Sequence, residues 1–383
     1  MSSSHKHWLH LLHFQCFSLV LFPCVLFVVS KAQAQAEAQV QELARLKALN
    51  NSVQAIFVFG DSTADPGNNN YVTTIFKGNF PPYGRDFPNQ VPTGRFSNGR
   101  LANDFIASYV GIKENVPPYL DPTLSIEELM TGVSFASAAS GFDPLTPQLS
   151  NVISMPKQLE YFKEYQKRVE LVIGRKLTKN LVKNALYIVS AGTNDFVVNY
   201  FTVPIRRKRY SLPDYMEFLL QQVQQFIQDL LEQGARRIGV VGLPPMGCLP
   251  IVITVNSDNA ILNRGCVEFF SLVAGQYNLM LKTKLNTMQY SVSPDSGVKI
   301  VYTDVYEALS DVVIQSLKYD FDVVSSGCCG TGLLETSFLC NPDSYVCSDA
   351  SKYMFWDSIH PSEKTYKLLF EAAKSDIDFL ITD

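Results

Sequence analysis

Histidine is the scarce residue of this sequence. Of five imidazoles, His5, His7, His10 and His13 crowd into the first thirteen residues, and His360 stands alone in the remainder. A body with one histidine excludes multi-histidine metal chemistry, whether a His-based zinc site or a two-histidine iron site. No metal or cofactor is expected. Positive charge is also short: 32 Lys and Arg face 36 Asp and Glu, which removes the electrostatic case for nucleic acid. Beyond about residue 29 no apolar run is long enough to span a bilayer. A G-x-S-x-G elbow and a P-loop are both missing, which argues against ordinary α/β-hydrolases and nucleotide use. Ser154-Met155-Pro156-Lys157 and Ser257-Asp258-Asn259 mimic two parts of the penicillin-binding set, but its Lys-Thr-Gly is absent.

What is present begins with a leader. Lys6 and the four histidines precede an apolar run from about Phe14 to Val29, and Ala32-Gln33-Ala34 offers a small-x-small cleavage site. A signal anchor is the rival, disfavoured by Pro23 inside the run. Residues 1–34 are therefore read as a signal peptide, 35–52 as an Ala/Gln/Glu-rich spacer, and 53–383 as one domain. Loss of the leader removes Lys6 and Lys31 and no carboxylate, taking the net charge from −4 to −6. It also removes Cys16 and Cys24, leaving Cys248, Cys266, Cys328, Cys329, Cys340 and Cys347. An even number in a secreted chain suggests disulfides rather than a zinc cluster. Cys248 with Cys266 is a natural loop closure. Cys328 and Cys329 each reach to Cys340 or Cys347, in an order the sequence leaves open. Asn50 heads the one glycosylation sequon, Asn50-Asn51-Ser52.

Short apolar runs alternate with helical patterns. Strands are predicted at 55–59, 133–136, 185–189, 238–241 and 298–302, several of them continuous hydrophobics as in strands buried on both faces of a parallel sheet. Helices are predicted at 98–110, 156–173, 213–233, 259–288, 304–318 and 362–380. The clearest, 213–233, repeats apolar residues at three- and four-residue steps and ends at Gly234. The alternation predicts a three-layer α/β/α sandwich around a mainly parallel five-stranded sheet. In such folds function sits in loops beyond the carboxyl ends of the strands.

Those loops hold the chemistry. Gly60-Asp61-Ser62 follows the first strand, where a serine on a tight turn is exposed and its own N–H can face an anion; an ordinary helix cap is the alternative. Gly141 closes the small-residue run after the second strand and can present an unobstructed backbone N–H. Asn194 follows the third strand with an amide donor suited to an oxyanion. Asp357 and His360 lie three residues apart, so the carboxylate can accept Nδ1–H and leave Nε2 to take a proton from a serine. Asp304 is read as a helix N-cap, and Arg206-Arg207-Lys208-Arg209 as a solvated loop. Singly these signals are modest. Together, in this order and with the first three each at the end of a predicted strand, they are the parts list for acyl transfer.

The chain resembles the plant GDSL esterase/lipase family of the SGNH-hydrolase superfamily. The resemblance runs from Phe57-Val58-Phe59-Gly60-Asp61-Ser62 through Gly94-Arg95-Phe96-Ser97-Asn98-Gly99-Arg100, Leu243-Pro244-Pro245-Met246-Gly247-Cys248 and Cys328-Cys329-Gly330-Thr331-Gly332 to Phe355-Trp356-Asp357-Ser358-Ile359-His360-Pro361. It implies a flavodoxin-like fold, Ser62 as nucleophile, His360 as general base, Asp357 as its orienting acid, and an oxyanion hole from Ser62, Gly141 and Asn194. Two departures stand out: Thr63 replaces the family's leucine, and Ala138-Ala139 replaces two glycines common in relatives. The expectation is a cofactor-free, monomeric serine ester hydrolase, secreted to the cell wall or apoplast, with a small-molecule, lipid or cell-wall ester as its partner. The rivals are an acyltransferase or polyester synthase with the same residues, or a non-catalytic wall-binding protein on the same fold.

Overall fold

The computed structural model describes residues 53–258, 260–262 and 264–382. The leader, the spacer and the Asn50 sequon lie outside the described residues. Four regular strands, β1 (Ile56–Gly60), β2 (Leu186–Ser190), β3 (Arg237–Val241) and β4 (Lys299–Thr303), form one parallel sheet in that order. The fifth expected strand is reduced to a single parallel bridge, Val58 with Ser134, on the free edge of β1. Its backbone is shared out. Val58 N–H donates to Val133 O and Phe135 N–H to Val58 O, but Ser134 N–H turns to Pro117 O and Asn68 Nδ2 takes the Ser134 and Ala136 carbonyls. Counting that segment, the spatial order places the second strand outside the first. The chain therefore reverses direction between β1 and β2, the position at which open α/β sheets leave a ligand crevice.

Side chains alternate across the sheet because successive Cβ atoms point to opposite faces. Phe57, Phe59, Tyr187, Val189, Ile238 and Val240 face one core, while Ile56, Val58, Leu186 and Ile188 face another. Helix α1 (Ala102–Tyr109) packs on the second core. Helices α2 (Met155–Ile173), α3 (Leu212–Glu232) and α4 (Glu268–Ser291) pack on the first. Helix α5 (Glu363–Ile381) joins α1 on the second face. The three-layer sandwich is thus as expected, with the aromatic-rich core on the three-helix side. Ser154 and Ser211 start α2 and α3 by accepting the Lys157 and Asp214 N–H groups.

The helix expected from residue 259 starts only at Glu268. The disulfide Cys248–Cys266 and the bond from Val267 N–H to Gly247 O tie the intervening loop to the turn after β3. Two further strands, β5 (Val323–Gly327) and β6 (Tyr353–Phe355), pair in parallel as a separate small sheet. Above it, Cys328–Cys347 and Cys329–Cys340 settle the open pairing. These cysteines pack with Tyr83, Phe96 and Trp356 into a third apolar cluster. That cluster is the floor under the Asp357–His360 turn.

Candidate active site

Ser62 sits immediately beyond β1, on a turn that only glycine could begin. Gly60 has φ 141°, and a Cβ there would lie 1.8 Å from Ser190 O. Gln158 clamps that turn from α2, accepting from Gly60 N–H at 2.9 Å and donating to Gly60 O at 2.8 Å. Asp61 closes the turn by accepting the Thr63 N–H and hydroxyl at 3.0 and 2.9 Å. Burial pushes the Asp61 carboxyl up to about 6, against those bonds and the charge of His360. Thr63, the departure from leucine, also pairs its hydroxyl with Ser190 Oγ at 2.9 Å. It ties β1 to β2 by hydrogen bonds where an aliphatic chain would pack.

Asp65 joins this loop to the next. Its Oδ1 accepts the Gly67 and Asn68 N–H groups and its Oδ2 the Ala138 N–H at 3.0 Å. The departure at Ala139 is visible in the backbone, which takes φ 66° there, a left-handed conformation that glycine would adopt more cheaply. Two residues on, Gly141 is required by close approach: an added Cβ would lie 2.2 Å from Asp195 Oδ1. Asp195 accepts from Phe142 N–H, Asp143 N–H and the Thr146 hydroxyl. It therefore anchors the loop that carries Gly141. Burial, with the Asp143 charge adding to it, lifts the Asp195 carboxyl to about 7.

Asn194 stands at the N-terminus of a π-helical turn, Asp195–Thr202. One amide hydrogen goes to Ser140 O at 2.9 Å, and Nδ2 carries a second. Ser62 and Asn194 line the same cavity, which reaches Ile359 beside the imidazole. Ser62 and Asn194 thus share one cavity, and Gly141 lies beside the Asn194–Asp195 segment.

The fourth part is a turn held by its own carboxylate. Asp357 Oδ1 accepts the Ile359 and His360 N–H groups at 2.8 and 2.7 Å, and Oδ2 lies 2.7 Å from His360 Nδ1. Asp357 is fully buried and His360 nearly so. Burial alone would raise the Asp357 carboxyl, but the His360 charge and these hydrogen bonds outweigh it and hold it below the ordinary value. His360 Nε2 makes no hydrogen bond among the described residues. Phe96 packs against the ring with centroids 4.8 Å apart. Asn98 Oδ1 accepts Glu363 N–H at the start of α5. The Gly94–Arg100 block therefore orients both the imidazole and the helix that follows it.

Several supporting residues carried no signal in the sequence. Tyr83 donates to Asp357 Oδ2 and accepts from Ser337 N–H, and Thr336 donates to the same Asp357 oxygen. All three lie in loops with no periodicity, and only the fold brings them to the turn. Arg206 corrects an expectation. It is not part of a solvated loop but forms a bidentate pair with fully buried Asp143, at 2.7 and 2.6 Å, while Arg207, Lys208 and Arg209 are exposed. Asp304 behaves as read, accepting Glu307 N–H at 3.1 Å.

The family model for GDSL-like lipase/acylhydrolase matches residues 56–373. The chain belongs to this family. A GDSL esterase/lipase of Arabidopsis thaliana is 57% identical over 331 residues, 86% of this chain and 88% of that protein. Two more from the same plant are 42% identical over 318 residues and 43% identical over 321 residues; they cover 83% and 84% of this chain and 89% and 78% of their own. Among solved structures, a lipase from a goat-rumen metagenome aligns with a TM-score of 0.38 at 11% identity, over 85% of this chain and 97% of that one. This GDSL family member is a carboxylic ester hydrolase, of a family that acts on small-molecule or lipid esters. Among its described residues no helix is long and apolar enough to cross a membrane.

Proposed function

We propose that this GDSL esterase works through an acyl-enzyme on Ser62, in a secreted protein. Ser62 Oγ attacks the ester carbonyl carbon as its proton passes to His360 Nε2. The oxyanion forms against the N–H groups of Ser62 and Gly141 and the free amide hydrogen of Asn194. His360 then gives its proton to the leaving alcohol as the C–O bond breaks. Water attacks the acyl-enzyme, its proton going to His360 and then to Ser62, and the acid leaves. Asp357 stays ionised throughout and steadies the imidazolium.

The observation that carries this reading is the Asp357–His360 contact at 2.7 Å between buried groups, which occupies Nδ1 and leaves Nε2 as the free nitrogen. Secretion is supported by the leader and by three disulfides, which persist in oxidising compartments. The test is p-nitrophenyl butyrate turnover by Ser62→Ala and His360→Ala, with folding verified by circular dichroism. Each is expected to lose at least about 10³-fold in kcat. Activity surviving His360→Ala would overturn the mechanism, because no other imidazole lies beyond residue 13. Labelling of the native enzyme by a fluorophosphonate at Ser62 supports it; labelling elsewhere does not.

A further inference from the structure

The cavity that touches Ser62 and Asn194 does not end at the strand tips. Its lining continues down the second face of the sheet to Ile188 and Gly239, and along α5 as far as Leu380 in the last turn. The void measures about 120 Å³. Its effect is visible in the strand itself: Ile188 keeps 5% exposure, whereas Leu186 on the same face keeps none. On α5, Phe370 and Ala373 keep 7% each, although they belong to the core.

Gly239 makes the space. It lies opposite Ile188 on one side and Val301 on the other, inside a parallel sheet where glycine weakens the strand. The fold does not demand it: its φ is not left-handed, and an added Cβ would meet Leu380 Cδ1 at 3.4 Å and Ile188 Cδ1 at 3.5 Å, ordinary contacts. A glycine that neither turns the chain nor relieves a clash leaves room for a methyl group between Ile188 and Leu380, on the wall of the cavity. The opposite wall is the apolar stripe of α5 from Tyr366 to Leu380, roughly 20 Å at about 1.5 Å per residue. Tyr366, at the triad end, has a buried hydroxyl with no hydrogen-bond partner among the described residues.

We propose that this slot between β2–β3 and α5 is an acyl channel that takes the unbranched aliphatic chain of a fatty ester, with Gly239 setting its depth. The proposal rests on the Ser62 reading for the position of the carbonyl. A narrow apolar slot favours a linear alkyl chain over an aromatic acid or an acetylated sugar.

The experiment is a chain-length series of p-nitrophenyl esters, acetate to decanoate, with the native enzyme, Gly239→Val and Ala373→Leu. Each methylene entering the channel is expected to raise kcat/KM about fourfold until the channel is full. In both variants the decanoate-to-acetate ratio of kcat/KM is expected to fall at least tenfold. A flat native series, or a rise that both variants retain, overturns the channel. In parallel, Ser62→Ala protein is titrated with decanoate by calorimetry. One-to-one binding is expected, and no binding overturns the proposal even where neither variant folds. Ester turnover retained by Ser62→Ala would instead count against the Ser62 mechanism, which the decanoate titration does not depend on.

Discussion

Tyr83 donates its hydroxyl hydrogen to Asp357 Oδ2 at 2.7 Å, the same carboxylate oxygen that faces His360 Nδ1. Burial, reinforced by the Asp357 charge, keeps the phenol far above its ordinary pKa, so it remains a donor. It also accepts Ser337 N–H at 2.7 Å, which links the acid to the loop between the paired cysteines. The carboxylate is thereby aimed from outside its own turn.

Tyr83→Phe removes that aim and leaves the Ser337 N–H buried without its acceptor. The expected cost in stability is about 1–3 kcal/mol. We expect kcat to fall roughly tenfold, about 1.4 kcal/mol of barrier, with KM little changed because Tyr83 supports the acid rather than the ester. Urea unfolding and steady-state kinetics measure both. An unchanged kcat would show that the two N–H bonds to Asp357 Oδ1 suffice.

The sequence was legible where chemistry and local structure coincide. Gly60-Asp61-Ser62 and Asn194 lie within a few residues of a predicted strand end, and Asp357 and His360 are three residues apart, so the local pattern already pointed to them. Tyr83, Thr336 and Asp195 were not legible because their roles come from partners far along the chain: Tyr83 is 274 positions from Asp357, and Asp195 is 53 from Phe142. The small sheet of β5 and β6 was hidden for a related reason. It is short and half-buried, so it lacks the continuous apolar run that marks the central strands. Arg206 was misread because three of the four cations in its run are exposed, as such runs usually are.

Arg206 supplies the next expectation. Asp143 is fully buried, and besides Arg206 it accepts from Asn199 Nδ2 and the Tyr215 hydroxyl. Arg206→Ala strands that carboxylate, and removing one partner of a buried pair costs about 3 kcal/mol or more. Arg207→Ala, on an exposed neighbour, is expected to change stability by less than about 0.5 kcal/mol. Equal urea midpoints for the two variants would return the whole run to the solvated loop first expected.

Acidity is expected to stabilise the enzyme. Burial raises Asp61 and Asp65 to about 6 and, with Asp143 beside it, Asp195 to about 7. Each folded value lies above that of the unfolded chain, about 3.9. The folded state therefore holds more protons from about pH 4 upward, and stability is lost as pH rises through 6 and 7. Other carboxyls act the other way, Glu335 and Asp357 among the least exposed of them. Glu335, which burial would raise, is held at about 2 by its bonds to the Thr331 amide and hydroxyl, and Asp357 lies below its ordinary value. Their contribution is present above the unfolded pKa and disappears on stronger acidification. The optimum should fall near pH 4–5. Urea midpoints at about pH 4.5, 6 and 7.5 are expected to decline in that order, and a rise toward 7.5 would contradict the raised carboxyls.

The last expectation concerns Cys329–Cys340, which closes a loop of sequence separation 11. Within that loop Thr336 donates to Asp357 Oδ2 at 3.1 Å and Ser337 N–H donates to Tyr83. The disulfide thus restrains residues that touch the acid, besides restricting the unfolded chain. Replacing both cysteines by alanine should cost about 3 kcal/mol by loop-closure entropy. A purely global effect would leave kcat unaltered at temperatures where the variant is folded. Because Thr336 and Ser337 lose their tether, kcat is expected to fall several-fold even there. The comparison is Cys248→Ala with Cys266→Ala, whose loop of separation 18 contributes neither Asp357 contact and meets the Asp357–His360 turn through Ile251 N–H to Ser358 O. That pair should lose a similar amount of stability by the same entropy argument, with a smaller change in kcat. A kcat loss equal in both double variants would assign the effect to general loosening and not to the support of Asp357.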